Sequence, residues 1–94
     1  MDTFRIFEFK NEQLIREFKT EHGPINHVIA ELENKHRDSL RKDFKGSEVT
    51  ISVEAGNRMV SGNAITFQIF ILALDWNSKI NTSAVYDYVV VKVN

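Results

Sequence analysis

No cysteine occurs in this chain of 94 residues. That excludes a disulfide framework, a thiolate nucleophile and any zinc site built on sulfur. It also fits a reducing compartment. Proline is nearly absent, with Pro24 alone, and glycine occupies four positions. So little of the chain-breaking residues, alongside seven phenylalanines, argues against a disordered polypeptide. Charge of either sign has no excess worth the name: 12 Lys and Arg against 13 Asp and Glu leave −1. Whole-chain attraction to nucleic acid or to an anionic membrane is therefore not expected. Long apolar runs are missing too. The strongest stretch runs over residues 65–76 and is broken by Gln68, too short for the ~20 residues that a helix needs to cross a bilayer. The first residues, Met1-Asp2-Thr3-Phe4-Arg5-Ile6-Phe7-Glu8, carry charges where a secretory signal needs an apolar stretch. A cytoplasmic protein is the expectation.

What is present divides unevenly. Residues 1–46 hold 18 of the 25 charged side chains, and residues 47–94 hold seven. The second half is rich in Val, Ile, Thr, Tyr and Phe. The first half reads as helix and the second as strand. No linker-like stretch separates them, so residues 1–94 are expected to form a single α+β domain.

The best-marked element is a helix over residues 24–45, opened by Pro24 and closed by Gly46. Ile25, Val28, Ile29, Leu32, His36, Leu40 and Phe44 make one stripe at spacings of three and four. Glu31/Lys35, Glu33/Arg37 and Asp38/Lys42 are acid-before-base pairs one turn apart, the favourable order. Before it the chain is ambiguous. Residues 3–9 alternate as a strand would, yet Phe4, Phe7, Leu14, Ile15 and Phe18 also fit a helical spacing. The reading adopted is a short strand, then a helix over residues 11–22 capped by Asn11. After Gly46, Val49, Ile51 and Val53 alternate with polar residues. Gly56-Asn57 signals a turn, and Ser61-Gly62-Asn63 a bulge or second turn. Strands over residues 64–76 and 85–93 follow. The expected fold is one or two N-terminal helices packed on a three- to four-stranded antiparallel meander.

A strand, a long helix and an antiparallel meander in under 100 residues is similar to the cystatin-like arrangement. The inhibitory Gln-x-Val-x-Gly loop of that family has no counterpart. Ser52-Val53-Glu54-Ala55-Gly56 keeps a Val and a Gly and lacks the Gln. The resemblance therefore implies topology and not protease inhibition.

The stretch 65–76 carries the functional expectation. Ile65, Phe67, Ile69 and Ile71 point one way. From Phe70 onward the other way is apolar as well: Phe70, Leu72, Leu74 and Trp76. With Tyr86, Tyr88 and Val90 assigned to the same far side, the sheet has a second greasy face. A small domain has one core, so the second face must meet the N-terminal aromatics Phe4, Phe7, Phe9 and Phe18, another copy, or a foreign partner. A homodimer through this face is expected. So is a regulatory or inhibitory role of the kind met in phage or accessory proteins. The alternative is a nucleic-acid-binding module using the basic helix end, Lys35, Arg37, Arg41, Lys42 and Lys45. Interleaved Asp38 and Asp43 weaken it, and a helix C-terminus attracts cations in any case.

Signals for chemistry are weak. His27 and Glu31 stand one helical turn apart, with His22 near in sequence, a spacing that is common by chance. Asp75 and Asp87 are isolated acids among apolar strands, beside Ser78, Lys79 and Ser83, with nothing to order them. Residues 56–62 lack the Gly-Lys-Ser/Thr of a phosphate loop. The protein is expected to bind rather than catalyse, with no metal and no cofactor.

Overall fold

The computed structural model describes residues 3–21, 23–44, 48–77 and 80–93. The architecture is α+β. Five strands and one helix follow in the order β1 (Thr3–Lys10), β2 (Gln13–Glu21), α1 (Ile25–Asp43), β3 (Val49–Ser61), β4 (Ala64–Asp75) and β5 (Ile80–Lys92). They build one sheet, β2-β1-β5-β4-β3, antiparallel at every pairing. The helix lies between strands in the chain, and five strands replace the expected three or four. Two strands, not one, precede the helix, so the order also departs from the cystatin-like one.

The expected helix over residues 11–22 is instead the turn and second strand of a hairpin; His22 lies outside the described residues. Lys10 pairs with Gln13, which leaves Asn11 and Glu12 as a two-residue loop. Both have positive φ, 52° and 64°, the demand of a type I′ turn, where Asn is favoured. The feature read as a helix cap was a turn residue. The apparent helical spacing dissolves once the strands form. Phe4 and Phe18 point to one face of the sheet, Phe7 and Leu14 to the other. Ile15 is skipped by the register, which runs from Glu8↔Arg16 to Phe9↔Leu14, a bulge that restores Leu14 to the Phe9 side.

Helix α1 is close to its sequence expectation. Pro24 sits just before it in extended backbone, and Phe44 closes it by donating its N–H to the Leu40 carbonyl at 3.0 Å. Lys45 and Gly46 lie outside the described residues. Val28, Leu32 and Leu40 are buried, and Ile25, Ile29 and Phe44 pack beside them. Burying each of these side chains fully is worth roughly 1.5–3 kcal/mol. They cover Phe4 and Ile6 of β1, Val53 of β3, Phe67, Ile69, Ile71 and Ala73 of β4, and Tyr88 and Val90 of β5.

Gly56-Asn57, expected as a turn, is not one. Strand β3 continues through it with one extra residue, from Gly56↔Gln68 to Met59↔Thr66, and Asn57 takes the left-handed φ of 56°. The reversal comes at Gly62-Asn63, with Gly62 at φ 59°, after Ser61 pairs with Ala64. The C-terminal strand lies inside the sheet. β5 is the middle strand, bonded to β1 on one side and β4 on the other.

The edges that exist are guarded. On β3, the Val53 carbonyl accepts from Arg37 Nη2 at 3.0 Å, and the Ala55 N–H donates to Glu33 Oε2 at 3.1 Å. The Glu33/Arg37 pair of the helix thus occupies outward backbone groups that another strand would use. On β2, exposed Arg16, Glu17 and Lys19 line the other edge, with Glu17 paired to Arg5 at 3.2 Å.

Candidate functional site

Two regions stand out, one on each face of the sheet. The first is the face that the helix does not cover. Directly paired residues share a face, so the register places the side chains. Phe70 pairs with Val85 and Glu54, Leu72 with Ser83 and Ser52, and Leu74 with Asn81 and Thr50. Phe7 and Val89 share a row with Thr66, and Phe9 shares one with Asp87 and Gln68. All of these lie opposite α1. Leu72 is 46% exposed, Trp76 56%, and Phe70 and Val85 40% each. The indole N–H of Trp76 donates to Thr50 Oγ1 at 2.9 Å, so its polar atom is satisfied and its ring remains as apolar surface.

Across the middle of this face runs a polar ladder. Asn57 Nδ2 donates to Gln68 Oε1 at 2.6 Å, and Gln68 Nε2 donates to Asp87 Oδ1 at 2.8 Å. It links β3, β4 and β5 and divides the apolar surface. Phe9 continues the row of the ladder on β1, and Phe7, Val89 and Val91 lie on one side. Val85, Phe70, Leu72 and Leu74 lie on the other.

Four of the seven residues expected on the far side are there: Phe70, Leu72, Leu74 and Trp76. The other three are not. Tyr88 and Val90 are buried in the core beneath α1, and Tyr86 packs against it. The parity of β5 is opposite to that expected. Val85, Asp87, Val89 and Val91 face outward, because Tyr88 must sit opposite Glu8 and Phe67. Over residues 85–91 of β5 apolar or aromatic side chains stand on both sides, and Asp87 marks the outer one. Nor do the N-terminal aromatics fold over the open face as a cover. They are part of the sheet, with Phe7 and Phe9 on its open side and Phe4 and Phe18 on the helix side.

The second region is a groove between α1 and the β1–β2 hairpin, with a volume of about 370 Å³. Its floor holds a buried carboxylate, Glu8, 5% exposed. Glu8 Oε2 accepts from the Tyr88 hydroxyl and from Arg16 Nη2 at 3.2 Å. His36 Nε2 lies 2.6 Å from the Tyr88 oxygen and 3.8 Å from the same Glu8 oxygen, the latter too long for a hydrogen bond. A phenol has one proton to donate, and Tyr88 donates it to Glu8 in a hydrogen bond. His36 Nε2 therefore carries the N–H and donates to the Tyr88 oxygen. Tyr88 stacks on Phe67 at 5.2 Å between centroids, and His36 leans on Tyr86 at 4.4 Å. Burial first, then the hydrogen bond and charge of Glu8, push the Tyr88 hydroxyl far above the ordinary phenol range. Burial also holds His36 below the ordinary value of 6.5. The charge of Glu8 opposes this, and that of Arg16 reinforces it. Both side chains are thus neutral near pH 7. No buried side-chain nitrogen or oxygen among the described residues lacks a partner.

This network escaped the sequence reading, which looked to Asp75 and Asp87 for unusual acids. Asp75 caps the Asn77 N–H at 3.0 Å, and Asp87 belongs to the polar ladder. The signal for Glu8 is the series Phe4, Ile6, Glu8, which places a charge third on the buried side of a strand. It was hidden because residues 3–9 also fitted a helix.

The expected basic helix end does not form one cluster. Arg37 is engaged with the Val53 carbonyl and Asn34, and Lys35 lies over the Phe18 ring. Arg41 and Lys42 are exposed in the last turn, and Lys45 lies outside the described residues. Among the described residues, no three His, Asp or Glu side chains gather as metal ligands. His27 is exposed, and Ser78 and Lys79 lie outside the described residues. No helix of the described residues is long and apolar enough to cross a membrane. Comparison with family models, with curated proteins and with solved structures returned no match.

Proposed function

We propose that this is a non-catalytic interaction protein that pairs with a second copy of itself through the open face of its sheet. The observation that supports this reading is the exposure of Phe70, Leu72, Trp76 and Val85 on one uncovered side. Single exposed apolar residues need no explanation, but neighbouring ones on one face do. The edges argue for face-to-face pairing over strand addition, since Glu33 and Arg37 occupy β3 and charges line β2. A second copy suits this face. Sheets pack face to face through alternating apolar side chains, and a two-fold axis needs only one self-complementary patch. Asn57, Gln68 and Asp87 bond to one another within the chain, so each enters such an interface with a hydrogen bond already made. A regulatory or inhibitory role would then rest on what the dimer presents outward.

The test is absolute mass by light scattering after size exclusion, at low and high salt. The expected species is twice 10.9 kDa at both salts. Leu72→Glu and Val85→Glu should each return it to one chain while keeping a cooperative melt. A wild-type monomer at the highest soluble concentration would sink the reading. So would a Leu72→Glu variant that unfolds outright, because the face would then belong to the core.

A further inference from the structure

We infer that the groove between α1 and the β1–β2 hairpin is a binding site for a small aromatic anion, held by Arg16 and Lys35. The geometry carries this independently of the open face. Two cations from different elements converge on one ring. The Arg16 guanidinium, from β2, lies 4.6 Å from the Phe18 centroid, and Lys35 Nζ, from α1, lies 5.2 Å from it. Like charges brought together repel; Glu8 lies beneath Arg16, and Glu31, one turn before Lys35, lines the neighbouring recess with Lys35 and Phe18. Glu8 is taken by Tyr88 and by a single Arg16 nitrogen. The remaining guanidinium N–H groups have no bond among the described residues. Glu8 therefore fixes where Arg16 stands without consuming its capacity to bind. The groove so presents a positioned positive fork in a chain whose overall charge is −1.

The rest of the groove suits a flat body. Tyr86 forms part of the floor, and Ile15 and Leu32 line the walls. Tyr86 is held by His36 at 4.4 Å and by Lys10 Nζ at 5.3 Å from its centroid, so the aromatic part of the lining is fixed in place. The one N–H of the neutral His36 ring is spent on Tyr88, so His36 lines the groove without offering an anion a donor. A volume of about 370 Å³ falls at the lower end of small-molecule sites, which suits a compact ligand and not a polymer. Arg recognises carboxylate and phosphate alike through its planar donors, so the shared chemistry is an anionic head on an aromatic body.

The experiment is an amide and imidazole NMR titration of the full chain at constant ionic strength. The probes are benzoate and phenyl phosphate, with benzyl alcohol as the neutral match. Saturable shifts at Arg16, Lys35, His36 and Tyr86 with either anion, and none with the alcohol, are the expected result. The anion that saturates at lower concentration distinguishes carboxylate from phosphate. Lys35→Gln, on an exposed helix position, should raise Kd by roughly tenfold with an unchanged spectrum elsewhere. Arg16→Lys should weaken binding while keeping a charge beside Glu8. Shifts that stay linear with both anions, or equal those of benzyl alcohol, overturn the inference. So does unchanged affinity in Lys35→Gln.

Discussion

The two faces of the sheet are built from the same residue types and do different work. Under α1, apolar side chains are closed to water and a buried acid, Glu8, is bonded to Tyr88 and Arg16. On the other face, apolar side chains of similar size remain exposed, and an acid, Asp87, is held in a ladder with Gln68 and Asn57. Leu32 is 2% exposed and Leu72 46%. The difference teaches that composition does not say which face is core. The helix decides it, because it has one apolar stripe and can cover one side.

The widest gap between the faces should appear on truncation. Leu32→Ala should cost about 2–5 kcal/mol, the range for emptying a buried leucine site. Leu72→Ala should change monomer stability by about 0.5 kcal/mol or less, as exposed positions do. Urea unfolding in dilute solution, below the range of self-association, measures both. Equal losses would break the comparison and make the open face a second core.

Next in size is Tyr88→Phe. The ring stays stacked on Phe67, so packing is nearly unchanged. The hydroxyl that donates to Glu8 and accepts from His36 is lost. Leaving buried polar groups unsatisfied costs about 1–3 kcal/mol. The corresponding change on the open face, Gln68→Leu, also breaks two side-chain bonds, but its partners can turn to water. It should cost less than Tyr88→Phe in the same unfolding assay, and the reverse order would show that the Glu8 network is dispensable.

His36 sharpens the comparison through pH. Burial lowers its pKa from the ordinary 6.5. Well above pH 6.5 the imidazole is neutral both folded and unfolded, and it contributes no slope. As pH falls through 6.5 the unfolded chain takes up the proton first. Stability therefore declines from 6.5 down to the lowered folded value. Glu8 resists this decline, while Arg16 deepens it. Lys10, Lys35 and Asp43 also line the recesses on either side of His36. The difference between wild type and His36→Gln, measured by urea unfolding from about pH 5 to pH 8, should carry this slope. A flat difference would mean that the ring is hydrated in the folded state.

The sequence made some of this legible and hid the rest for definable reasons. The stripe from Ile25 to Phe44 gave helix α1 because a spacing of three and four sustained over five turns has no strand equivalent. Phe70, Leu72, Leu74 and Trp76 were placed because Thr66 and Gln68 marked their side as the outer one. β5 carries apolar or aromatic residues on both sides between Val85 and Val91, and its faces were exchanged because the half-polar tyrosines suited an open face while Asp87, the outward acid, stood alone on the other side. The hairpin was missed at Asn11, a residue equally suited to capping a helix and to a left-handed turn position. Losing the hairpin also lost Glu8 and Arg16, since their meeting depends on the register between β1 and β2.

The smallest effects come from glycine, and they differ in sign between turn and face. Gly56 lies in β3 on the open side, and a Cβ there would meet Phe70 Cε2 at 3.4 Å, an ordinary contact. Its φ is not left-handed. Gly56→Ala should therefore stabilise the chain by about 0.4–1 kcal/mol, mainly by restricting the unfolded state. Gly62 has open space around it but a φ of +59°. Gly62→Ala should cost about 1 kcal/mol, because the left-handed backbone penalises a Cβ whatever the room. Thermal melts of the two variants side by side check both signs. Destabilisation by Gly56→Ala would mean that the Phe70 ring is clamped against β3, and that the open face is packed more firmly than its exposure indicates.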